Sequence, residues 1–342
     1  MMRTLWLAAV LVTGAGAQSR YPLPYPPRLP GGQEFVTDRS EAFLKAPANL
    51  RAGVAVAQTP PVVDFMFYPH QDRPGGPWTV WGDGSVAGDK YYSAIGDHLG
   101  PRGTAMVFEY DSSTRKLRRL VDIGAFLESA GALPAGMDYV PSKIHTRIEM
   151  GRDGWLYYAT HRGSEKTCDD AHGYRGDWIL RTDPRSGKTE IVATHPVPKH
   201  SMPAGLLDPE RLIFYGGTAP GLAAPNRSIQ FLAFDLVNRK SLKVADGGFQ
   251  RNAILARSTG RLYWDGKMYD PRTNEISPSA VPAVRSATAE TPQGIVYGTT
   301  GLSADLWAFN VKSGKLEQLG SGAVAKQQYT TTMDADPTGR YL

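Results

Sequence analysis

The chain contains a single cysteine, Cys168, in 342 residues, which excludes an intramolecular disulfide and leaves the fold to its apolar core. Beyond its first twenty residues it has no long apolar run. Since a bilayer span takes about 20 apolar residues, no transmembrane segment is expected. Lys and Arg are never gathered into runs, and the formal net charge is a mild +5, which argues against nucleic acid as the main partner. Also missing are a GxSxG elbow, a phosphate-binding loop, a dinucleotide fingerprint and an HExxH pair, so chemistries that announce themselves by motif are not written here. Cys168 is followed by Asp169 and Asp170, whose charges are expected to raise the thiol pKa and disfavour it as a nucleophile.

The N-terminus is informative. Arg3, an apolar stretch over 5–12 and the small residues Ala15-Gly16-Ala17 are the three parts of a secretory signal peptide, expected over 1–17, so the chain reads as exported to the periplasm or beyond. Residues 18–60 read as a proline-rich leader. The stretch 21–32 is too rich in proline for helix or central strand, because proline lacks an amide donor and fixes φ. The remainder, 61–342, is expected to be one domain, and a 41% apolar composition is ample for a large core.

Within it one phrase recurs: an apolar run ending in Asp or Asn, a short polar turn, then a second alternating run. The run-ending residues are Asp111, Asp183, Asp235, Asp270 and Asn310. Each marks a β-hairpin, because the Asx side chain bonds to backbone amides two or three residues on, and Pro or Gly supplies the turn dihedrals. A second hairpin precedes each copy after the first, with turns at Asp153-Gly154, Asp208-Pro209, Thr259-Gly260 and Gln293-Gly294. Two hairpins in series make a four-stranded antiparallel unit that cannot bury both faces alone, so such units stack about an axis. The expected fold is therefore all-β, a β-propeller of four-stranded blades at about 77–125, 140–196, 197–247, 248–283 and 284–321. A partial sixth blade runs from Ala323 to Leu342. On this reading the chain is a C-terminally truncated copy of a propeller of six to eight blades. Residues 123–130 are the one expected short helix.

In a propeller the first strand of each blade lines the central channel. The strand entries here carry Lys143, His145 and Arg147, then Lys199 and His200, then Arg251 and Asn252, then Arg285, and finally Tyr329. Gathered about one axis they would form a basic, hydrogen-bonding mouth, with Arg147, Lys199, Arg251, Asn252, Arg285 and Tyr329 as ligand contacts. Loops expected on the same face add Asp97 and His98, His161 and His172, and the glycine-rich 216–221, read as allowing close backbone approach to a ligand. Imidazole both binds divalent metals and moves protons near neutral pH. His145, His161 and His200 are thus the candidate catalytic residues, and the same three with Asp97 and His98 the candidate ligands of a divalent metal. The spacing matches no established metal motif. Trp155 and Trp178 read as blade packing and not as a platform for a quinone.

The blade grammar, for example Gly151-Arg152-Asp153-Gly154-Trp155-Leu156-Tyr157 and Trp178-Ile179-Leu180-Arg181-Thr182-Asp183-Pro184, resembles that of exported bacterial β-propeller proteins. That broad group includes lactonase-like, quinoprotein-like and oligogalacturonate-lyase-like members. The resemblance covers roughly 60–342 and carries fold and not chemistry. Its lyase-like members imply a divalent metal held by clustered histidines and an anionic sugar as substrate. Two functions stay open: a propeller that binds an anionic small molecule or carbohydrate and acts as a metal-assisted lyase or hydrolase, and a non-catalytic scaffold for a protein or polymer.

Overall fold

The computed structural model describes residues 28–71, 78–80, 82, 84–97, 103–133, 138–301, 303–325, 329–336, 338, 341 and 342. The expected signal peptide and the first part of the leader lie outside the described residues, as does His98. The described residues fall into two compact units, 28–43 with 60–71, and 44–59 with the remainder. In the smaller unit, Val36–Asp38 pairs antiparallel with Val63–Phe65, and Phe43 stacks on Phe65 at 6.4 Å. Residues 44–59, part of the expected leader, belong to the larger unit.

The larger unit is a β-propeller of five successive antiparallel sheets. Each sheet is a meander in chain order. The first runs from Trp78–Thr79 and Ser85–Ala87 through Lys90–Asp97 and Ala105–Asp111 to Lys116–Asp122. The second runs from Lys143–Ile144 and Glu149–Met150 through Leu156–His161 and Trp178–Thr182 to Thr189–Thr194. The third comprises His200–Asp208, Ile213–Pro220, Gln230–Asp235 and Lys240–Asp246. The fourth comprises Ile254–Ala256, Arg261–Trp264, Lys267–Asp270 and Glu275–Pro278. The fifth comprises Val284–Ala287, Ile295–Thr300, Asp305–Asn310 and Lys315–Ser321. These are the five blades expected from the repeat. The short helix Ile123–Ser129 is present too, N-capped by the Asp122 carboxylate, which accepts from the Ala125 amide.

No blade has a core of its own. Val107 and Leu120 of the first blade share a cluster with Leu156 and Trp178 of the second. Ile179 and Val192 join Phe214 and Leu232 of the third. Tyr215 and Phe231 join Leu262 and Trp264 of the fourth, and Ile254 and Tyr263 join Val296 and Trp307 of the fifth. Apolar burial, the dominant stabilising term, therefore lies between successive sheets, which is why the blades stack radially.

The expected turn chemistry is present in all five outer hairpins. The side-chain oxygens of Asp111, Asp183, Asp235, Asp270 and Asn310 accept from the amides of Ser113, Arg185, Val237, Arg272 and Lys312 at 2.9–3.0 Å. Four residues after each, the chain takes a left-handed conformation, at Arg115, Gly187, Arg239, Asn274 and Gly314 (φ 55, 76, 51, 58 and 67°). An added Cβ at Gly314 would meet nothing within 4 Å, so only backbone strain opposes a side chain there. Gly314→Ala is expected to lower the unfolding free energy by about 1 kcal/mol and Gly314→Asn by less, as read from denaturant melts.

The partial sixth blade is not formed as a hairpin among the described residues. After Ser321 the β pairing among the described residues is a single bridge between Leu50 and Ala325, supported by the Arg51 amide donating to Val324 O at 3.0 Å. The Arg51 guanidinium also donates to Ala323 O at 2.8 Å. A segment that precedes the first blade thus pairs with one that follows the fifth.

Candidate functional site

The inner strands are irregular where they face the channel. In the first two blades the inner strand is broken into two pieces, and residues of the break, Val80, Gly82 and Gly84 in one and His145 and Arg147 in the other, line a cavity of about 600 Å³. In the fifth blade the pairing slips between Val284 and Ser286, so Arg285 has no ladder partner and its side chain is aimed into the same cavity. Arg251 and Asn252, just before the inner strand of the fourth blade, complete the cationic part of the lining. Thr331, Thr332 and Asp334 come from the segment after the fifth blade.

Several of these residues are tied to neighbouring elements. The Arg147 amide donates to Gly205 O of the third blade at 3.0 Å. A second slip, between Ser201 and Ala204, turns the Pro203 carbonyl out of its ladder, and His145 Nδ1 donates to it at 2.5 Å. This fixes the tautomer with the lone pair on Nε2. Burial, with Lys143 and Arg251 nearby, pushes the His145 pKa down to about 4, so the imidazole is neutral at pH 7. Lys143, also buried, is lowered to about 8 by burial and by the charges of Arg162 and Arg251. The Arg285 guanidinium lies 4.5 Å above the Tyr329 ring, and its Nε is enclosed without a hydrogen-bond acceptor. Arg251 is exposed.

Of the expected ligand contacts, Arg147, Arg251, Asn252 and Arg285 line the cavity and Tyr329 supports Arg285. Lys199 does not line it: its ammonium is bound to Asp170 at 2.8 Å, a partner 29 residues away in sequence. Of the described histidines, only His145 and His161 come together, with rings 5.5 Å apart and edge to face. His161 Nδ1 lies 3.1 Å from Ser201 Oγ. His200 has both nitrogens engaged, Nδ1 with Thr218 Oγ1 at 2.8 Å and Nε2 donating to Asn226 O at 3.0 Å. Asp97 is buried at the end of its strand beside Gly103. Among the described residues no three His, Cys, Asp or Glu side chains are grouped so as to hold a metal ion; His98, one of the expected ligands, is not among them.

Two readings are corrected. Gly216 and Gly217 are not in a ligand loop but within the strand Ile213–Pro220, and a Cβ on Gly217 would meet Phe249 O of the next blade at 1.8 Å. The glycine admits a neighbouring backbone, not a ligand. The Cys168 thiol is pushed up to about 12 chiefly by burial and then by Asp177, while Asp169 and Asp170 turn to His172, Arg175 and Lys199. Tyr91, which also lines the cavity, and the segment 331–334 were not found from the sequence. The segment 331–334 forms no strand and so has no periodicity to read.

No protein-family description matches the chain, and no curated protein does. Among solved structures it is similar to a chain of the crystal structure of a nidogen/laminin complex, at 7% identity and TM-score 0.42, over 74% of this chain and 85% of that one. The propeller assignment rests on sheet order and inter-blade packing and not on this likeness.

Proposed function

We propose that this chain is an exported propeller of the broad lactonase-like and lyase-like kind that binds an anionic small molecule or carbohydrate in its central cavity. One observation carries the reading. Arg285 is bulged out of its ladder and stacked on Tyr329, in a cavity that Arg147 and Arg251 also line. Guanidinium groups that meet in one cavity are complemented by a carboxylate or phosphate, whose oxygens accept charge-assisted hydrogen bonds from them.

Citrate, titrated calorimetrically, is the test ligand. Arg285→Gln is expected to weaken it about tenfold, the size of a lost hydrogen bond to a charged group, with a shallower salt dependence. Lys199→Gln, whose charge Asp170 already holds, is expected to leave affinity unchanged. Equal effects of the two substitutions, or no citrate binding at low salt, would remove the reading.

A further inference from the structure

Part of the cavity's lining is not held by strands. Thr331, Thr332, Met333 and Asp334 belong to that lining, and the ring of Tyr329, just before them, lies 4.5 Å from the Arg285 guanidinium. Residues 329–335 are in no strand and form no backbone–backbone hydrogen bond with a described residue. They are tied down at either end instead. On the C-terminal side the Tyr341 amide donates to Asp336 Oδ1 at 2.8 Å and the Asp336 amide to Tyr341 O at 3.1 Å. On the N-terminal side the antiparallel bridge between Leu50 and Ala325 joins them to a segment that precedes the first blade. Arg51 supplies two bonds of this clasp, from its amide to Val324 O and from its guanidinium to Ala323 O, the latter across 272 residues of sequence. Arg51 and Val324 are exposed and Leu50, Ala323 and Ala325 only half-buried, so little apolar burial holds the clasp, which is the character of an element that opens at low free energy. Ala325 and Tyr329 are four peptide steps apart, an extended reach of at most about 14 Å. Where the clasp holds Ala325 therefore limits whether Tyr329 can meet Arg285.

We propose that this clasp regulates the cavity: closed, it positions Tyr329 beside Arg285 and residues 331–334 in the lining, so that closure and ligand binding favour one another. This coupling rests on the anion-binding reading above and adds a control element to it. Arg51 is not in the lining and acts as a positioning residue. With the clasp open, Arg285 loses the ring that steadies its guanidinium and the cavity loses the hydroxyls of Thr331 and Thr332, so the open form binds an anion more weakly. Apparent affinity then falls with the closed fraction, and a bound anion shifts the clasp toward closure by the same factor.

A disulfide in place of the bridge tests it. Antiparallel partners lie about 4.5–5.5 Å apart at Cα, within disulfide reach, and the one native thiol, Cys168, is buried. The full chain carrying Leu50→Cys and Ala325→Cys is titrated calorimetrically with citrate, oxidised and reduced, with and without Arg51→Pro, which removes the amide donor and the guanidinium together. In the reduced protein Arg51→Pro is expected to weaken citrate about fivefold or more, the lower end of coupling between sites. In the oxidised protein the same substitution should leave affinity unchanged, because the disulfide keeps Ala325 in place. Arg51 is exposed, and a circular-dichroism spectrum unaltered by the substitution would show that the blades fold. An equal loss in both redox forms would mean that Arg51 acts other than through the clasp, and no loss in the reduced form would uncouple clasp from cavity; either result overturns the inference. If Arg285→Gln weakens citrate while opening the clasp does not, the clasp fails and the anion site stands; if citrate binds none of these proteins, both fall.

Discussion

Asp177→Ala is expected to lower the unfolding free energy by about 4 kcal/mol, since it strips the acceptor from several buried hydroxyl donors at about 1–3 kcal/mol each. Asp177 is fully buried next to the first residue of Trp178–Thr182. Its carboxylate accepts from Thr160 Oγ1 at 2.6 Å, from Tyr139 OH at 2.9 and 3.0 Å, and from Tyr174 OH at 3.4 Å. Thr160 cannot turn elsewhere without cost, because its oxygen also accepts from the Trp178 amide at 3.0 Å. The site ties the second blade's middle strands to the segment that enters that blade. Urea melts of Asp177→Ala against Asp177→Asn, which keeps the shape and one acceptor, measure the effect.

The same residue makes stability depend on pH. Burial raises the Asp177 pKa from 3.8 to about 6 despite its hydrogen bonds. Between those values the folded state holds a proton that the unfolded state has lost, so this group's contribution falls by roughly 3 kcal/mol as pH rises from 4 to 6, then stays flat. His145 has the opposite sign. Its pKa falls from 6.5 to about 4, so its contribution is full above pH 6.5 and is lost as pH drops toward 4. His195 and His200 are lowered too, mainly by burial, and act in the same direction as His145. In the intact protein the slope from Asp177 opposes that of the histidines. Asp177→Asn removes one side of the balance, so its stability should climb with pH from 4 to 6.5 more steeply than that of the parent. Parallel pH profiles for the two proteins would show that Asp177 does not titrate with folding.

What the sequence made legible was chemistry that acts over a few residues. Asp111 and its four counterparts announce their turns because an Asx side chain bonds its own backbone two residues on. The entries bearing Arg147, Arg251 and Arg285 were legible because an inner strand must begin at the channel. The left-handed position at Arg115 and Arg239 was not, since the turn imposes it and no glycine advertises it. Nor was the capture of Lys199 by Asp170, or of both His200 nitrogens by Thr218 and Asn226. Those partners lie 18 to 29 residues apart in sequence and meet only once the strands are in register. The bulges that aim Arg285 and expose Pro203 O are likewise properties of pairing, and no residue type marks them.

Gly217 is where the misread glycines become a quantitative expectation. Its Cβ would sit 1.8 Å from Phe249 O and 2.8 Å from Phe249 C, backbone atoms that cannot rotate away, whereas a Cβ on Gly216 would meet only side-chain atoms at 3.5 Å or more. Gly217→Ala is therefore expected to cost about 3 kcal/mol or more through overpacking, and Gly216→Ala less than about 1. Gly96 makes the corresponding approach to Ser142 O, at 2.1 Å from its Cβ position, where the first blade meets the entry of the second. In both places the second strand of a blade drops its side chain so that the next blade's entry can cross it. Phe249 lies two residues before Arg251, so pushing it aside moves a cation of the proposed site as well. Gly217→Ala should therefore weaken citrate and shift the melting midpoint together. A variant that loses ligand with an unshifted midpoint would instead return the glycines to the ligand's surroundings.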